Sequence, residues 1–96
     1  MDYKICYSER SLSDLAEFIH HVSEERPEAA FQVGSALLDH IDLLAKFPRL
    51  GHVVHRHPTV RRLVHSPLLV YYRIQESPPS IEVMHIRHSA RFPLYL

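Results

Sequence analysis

Apolar residues recur along this chain with two different periods, and the change from one to the other falls just past the middle. Residues 3–7 (YKICY) alternate over a short aromatic run, which is the pattern of a strand, and Ser8-Glu9-Arg10-Ser11 ends it. From there Leu12, Leu15, Ala16, Ile19 and Val22 fall at helical spacing, and Ser11 with Asp14 has the form of a capping box. The spacing predicts a first helix running to about Glu25. Pro27 suits the first position of a second helix, where its missing N–H would have no partner anyway, and Glu28 suits the positive end of the helix dipole. Ala30, Val33, Gly34, Leu37, Leu38, Ile41, Leu44 and Ala45 then form one apolar stripe. Glycine in mid-helix costs about 1 kcal/mol relative to alanine, so Gly34 predicts close approach of the first helix.

Phe47-Pro48-Arg49-Leu50-Gly51 stops the second helix, and residues 52–59 read as a loop rich in histidine. Period two takes over in three segments, 60–65, 68–74 and 81–88, separated by Ser66-Pro67 and by a polar, proline-bearing stretch. Connections this short predict an antiparallel meander. Val70, Tyr72 and Ile74 alternate with Tyr71 and Arg73, giving the sheet one apolar face for the helices and one aromatic and cationic face. The expected fold is α+β, of order β-α-α-β-β-β, an antiparallel sheet packed against an N-terminal helical hairpin, with residues 1–96 forming one domain. Tyr71 and Tyr72 read as packing residues and Cys6 as a small core residue.

Composition narrows the class. At 96 residues the core is thin, and a partner is expected to supply part of the burial. One cysteine excludes an internal disulfide and a paired CxxC site. No apolar run approaches the ~20 residues that span a bilayer, and MDYKICYSER lacks the apolar centre of a signal peptide, so no membrane association is expected and the expected compartment is the cytoplasm.

Net charge is zero but divided. Residues 1–48 carry nine acids and four bases, whereas residues 49–96 carry seven arginines, two acids and six of the nine histidines. Arginine forks suit phosphate and carboxylate, so an anionic partner is expected for the second half. The same arginines also fit the solvated face of a sheet. The pairs His20-His21, His55/His57 and His85/His88 lack thiolates and a zinc-type spacing, so no metal and no cofactor are expected.

The segment RRLVHSPLLVYYRIQESPPSIEVMHIRHSAR (61–91) resembles the C-terminal half of the RelE/ParE toxins of bacterial type II toxin–antitoxin modules. Ser8, Asp14-Leu15 and Ile19 resemble that family's first helix, and Ala30, Leu44, Phe47-Pro48 and Gly51 its second helix and stop, so the likeness runs from about Tyr3 to Pro93. It implies a growth-inhibiting, plasmid-stabilising toxin neutralised by a cognate antitoxin, with either of two activities. A RelE-like member cleaves mRNA on the ribosome. Arg62 and Arg91 match its basic positions, and His88, His85 or Tyr95 would move the proton. Leu69 and Val60, however, stand where that branch has arginine and lysine. A ParE-like member binds DNA gyrase and needs no acid–base pair. The stretch 68–74 and the ending 88–93 resemble that branch more closely, which makes Arg61, Arg62, Arg73, Arg87 and Arg91 the expected target-binding residues. A non-toxic structural homologue is the third reading. Direct binding of duplex DNA is not expected, since net charge is zero and no helix is rich in arginine.

Overall fold

The computed structural model describes residues 2–89. Strand β1 (Lys4–Tyr7) leads into helix α1 (Glu9–Glu25). A short 3-10 turn (Pro27–Ala29) opens helix α2 (Ala30–Asp42), and a second (Leu43–Ala45) closes it. Strands β2 (His52–Val54), β3 (His57–His65), β4 (Leu68–Glu76) and β5 (Pro79–His88) follow. They form one sheet in the order β1-β5-β4-β3-β2.

The expected meander is present as β3-β4-β5, antiparallel throughout. Two features add to it. The helical hairpin carries the chain across the sheet, so β1 joins β5 in parallel and the sheet is mixed. Residues 52–54, expected in a loop, form the edge strand β2 against β3, with a register shift between Val53 and Val54.

The hairpin covers one face. Leu37 and Ile41 of α2, Leu44, Leu63 of β3, Leu68, Val70 and Tyr72 of β4, and Ile81, Val83 and Ile86 of β5 make the buried core. Helix α1 packs on it through Leu15 and Phe18, while Leu12 is half exposed; its inward line is Ser11, Leu15, Phe18 and Val22. Gly34 does mark the close approach of the two helices, because an added Cβ would lie 2.9 Å from Ile19 Cδ1. On β1 the alternation points Ile5 and Tyr7 inward and Cys6 outward, so the cysteine is exposed and not a core residue.

The cap of α1 lies one turn earlier than expected. Ser8 is the N-cap, and its Oγ accepts from Ser11 N at 3.0 Å. Ser11 is fully buried and its hydroxyl donates to the Ser8 carbonyl. Asp14 therefore has no capping role. It takes up the edge of β5 beyond the point where β1 stops: Ser8 N donates to Val83 O, Ser8 Oγ to Met84 O, and Ile86 N donates to Asp14 Oδ2 at 3.0 Å. The first turns of α1 thus satisfy strand groups that a longer β1 would have met.

Candidate target-binding site on the outer sheet face

The sheet face away from the hairpin is built by period two plus one irregularity. Arg62 of β3 is the cross-strand neighbour of Tyr71 on β4, and Tyr71 of His85 on β5. Between Tyr71/His85 and Tyr72/Val83, β5 advances two residues while β4 advances one, so Met84 is an extra residue. The bulge reverses the parity of β5. Ile81 and Val83 face the core before it and Ile86 after it, while His85 and Arg87 turn to the outer face.

These side chains line a cavity of about 590 Å³ whose walls are Arg10 of α1, Val53 and Val54 of β2, the turn residues His55 and Arg56, His57, Val60 and Arg62 of β3, Tyr71, and Met84, His85 and Arg87 of β5. Four arginines and three histidines line it, and no aspartate or glutamate does. Tyr71 is buried and its ring stacks on that of His85 with centroids 5.9 Å apart. Its hydroxyl, and Nε of Arg62, are buried with no hydrogen-bond partner among the described residues. Buried donors left in this state destabilise the site by about 1–3 kcal/mol each until an acceptor reaches them.

His85 is held from behind. Its Nδ1 lies 2.7 Å from Asp14 Oδ2, and Arg10 Nη2 lies 3.4 Å from its Nε2. The carboxylate fixes the ring as the Nδ1–H tautomer and leaves Nε2 on the cavity side. Asp14 accepts from both His85 and the Ile86 amide, so it ties α1, β5 and the site together.

Of the residues singled out in the sequence, Arg62, Arg87 and His85 meet in this cavity. Arg61 does not. As the neighbour of Arg62 it points to the opposite face, where it donates to Gly51 O at 2.8 Å. Arg73 is also elsewhere, in a 2.6 Å contact between its Nε and Glu82 Oε1. His88 lies on the helical side, lining a groove with His65 and Pro67. Arg91 and Tyr95 lie outside the described residues. The sequence reading missed Arg10, Arg56 and the Asp14 partner of His85; the signal for Asp14 was present but read as a cap. His20 and His21 sit 3.5 Å from Glu24 and Glu25 one turn on. Among the described residues no three His, Cys, Asp or Glu side chains gather as a metal group.

The fold has close counterparts. The toxin–antitoxin structure "Chromosomal ParDE TA system from P. aeruginosa" contains a chain that superposes with a TM-score of 0.78 at 18% identity, covering 90% of this chain and 95% of that one. A chain of the RelBE2 toxin–antitoxin complex from Mycobacterium tuberculosis superposes with a TM-score of 0.71 at 14% identity, covering 92% of each. Among curated protein sequences no significant match is found. The family described as "ParE toxin of type II toxin-antitoxin system, parDE" matches residues 5–92, which includes both helices and every strand except Lys4, the first residue of β1. The chain belongs to the ParE toxins of type II toxin–antitoxin systems, within the RelE/ParE superfamily.

Proposed function

We propose that this toxin arrests growth by binding DNA gyrase through the outer sheet cavity, and that a cognate antitoxin neutralises it. The observation that carries the reading is the lining of that cavity, four arginines and three histidines without one carboxylate. A concave basic surface of this kind draws an acidic protein surface and fixes its register. The solved relatives come from toxin–antitoxin structures, which supports a proteinaceous antitoxin here. A gyrase-directed toxin works in the bacterial cytoplasm, and no described helix is long and apolar enough to cross a membrane. The test is supercoiling by purified gyrase with increasing amounts of the purified chain. Inhibition that saturates near equimolar chain and is relieved by the antitoxin is expected; undiminished supercoiling at a large excess of chain contradicts the reading.

One observation favours a second reading, RNA cleavage of the RelE type. The Asp14–His85 pair beside Arg62 and Arg87 has the arrangement of a positioned general base next to phosphate-binding cations. Under this reading His85, with Asp14 behind it, moves the proton. Transcripts cut after induction of the chain, and left intact by the His85→Gln variant, would favour it over gyrase binding.

A further inference from the structure

On the helical side of the sheet, away from the basic cavity, His40 of α2 and His65 of β3 meet with their Nδ1 atoms 2.8 Å apart. Their ring centroids are 5.1 Å apart and the planes are tilted by 52°. Both rings are partly buried. A hydrogen bond between two imidazole nitrogens needs one proton between them. One ring donates its Nδ1–H, and the other presents a bare Nδ1 and keeps its own proton on Nε2.

This arrangement treats the first and second added protons differently. The first goes to Nε2 of the donating ring and leaves the bond intact. The second must go to the accepting Nδ1, so that two N–H groups of two cations face each other, and the contact opens. Burial, and then the neighbouring His40, hold the pKa of His65 below its ordinary 6.5.

His65 also lines a groove of about 510 Å³ between α1, the start of α2 and the β3–β4 turn. The titratable and charged groups facing it there are His21 and Glu25 of α1, Arg26 between the helices and His88 of β5. Glu25 is the only carboxylate among these lining residues, and it lies 3.5 Å from His21. No other acid lines the groove beside His65.

We propose that the His40–His65 contact is a proton-sensitive latch that holds α2 against the sheet and sets the width of this groove. It is closed while one ring is neutral and opens when both are charged. The sign follows from linkage: a histidine whose folded pKa lies below 6.5 contributes stability that is complete above that value and is lost as pH falls through the folded pKa.

Amide hydrogen exchange of the full chain at pH 7.5 and pH 5.0, corrected for the intrinsic rate, tests the latch. Protection of α2 amides is expected to fall about tenfold on acidification, while amides of β4 keep theirs. In His40→Gln the difference between the two pH values in α2 is expected to vanish. Equal losses in wild type and variant, or no loss in wild type, would overturn the proposal. Should the variant fail to fold, imidazole nitrogen shifts of the wild-type chain at pH 7.5 decide the matter. One Nδ1–H ring and one Nε2–H ring are expected at these positions, and two Nε2–H rings contradict the latch.

Discussion

The Arg62→Glu variant is expected to require at least about 100-fold more toxin for growth arrest, because a like charge set against an acidic partner costs several kcal/mol. Arg62 stands beside Tyr71 in the outer-face row that continues to His85, and its Nε is a buried donor with no acceptor among the described residues. The reversal puts a carboxylate into the cavity wall that Arg62 shares with Arg10, Arg56 and Arg87. The variant is expected to stay folded, because Arg62 lies on the outer face and is not part of the buried core. Plating across a range of inducer concentrations, with a thermal melt of the purified chain, measures both sides. The control is Arg73→Gln. That guanidinium is already engaged by Glu82 and lies outside the cavity, so toxicity is expected to change by less than about twofold. Equal effects of the two variants would mean that the basic cavity is not the contact surface.

Gly51→Ala is expected to destabilise the fold by about 3 kcal/mol, the upper part of the usual range for overpacking. Gly51 is buried where the chain leaves the helical hairpin for β2. A Cβ there would stand 2.8 Å from the Arg62 carbonyl oxygen and 2.8 Å from both Cε1 and the hydroxyl of Tyr72. None of these can give way cheaply. The carbonyl is backbone in β3, and Tyr72 is fully buried, accepting from Gly51 N at 2.9 Å and donating to Pro48 O at 2.7 Å. The tyrosine hydroxyl is kept protonated for that second bond by burial, which raises its pKa above the ordinary 10. Urea denaturation of wild type and variant gives the difference directly. A change below about 1 kcal/mol would mean that β2 shifts easily, and that the cavity wall formed by Val53 and Val54 is adaptable.

The limits of the sequence reading have specific physical causes. The three long strands and both helices were legible because each buries one face, and burial leaves a period of two or of 3.6 in the chain. Strand β2 was not, because its three residues HVV are held at the edge by backbone pairing and bury little. The cap was misplaced because Ser8 and Ser11 are chemically equivalent, and only β5 beside them decides that Asp14 leaves the helix end to accept from Ile86 N. Arg61 and Arg62 look alike in sequence, yet adjacent strand residues face opposite ways, so only Arg62 reaches the cavity. Arg10 and Arg56 come from a helix start and a turn, and strand periodicity carries no information on either. The bulge at Met84 is the least legible feature. Strict alternation would keep Val83, His85 and Arg87 on one face, whereas the extra residue sends Val83 to the core and the other two outward.

On the proposed reading, the basic cavity of this ParE-family toxin is directed at DNA gyrase. Pulse-labelling of DNA and protein synthesis in bacteria, after induction of the chain without an antitoxin, tests it most directly. DNA synthesis falling first, with protein synthesis following later, is the predicted result. Protein synthesis falling first, accompanied by cut transcripts, would contradict the claim and make His85 and Asp14 the residues to study as a cleavage site.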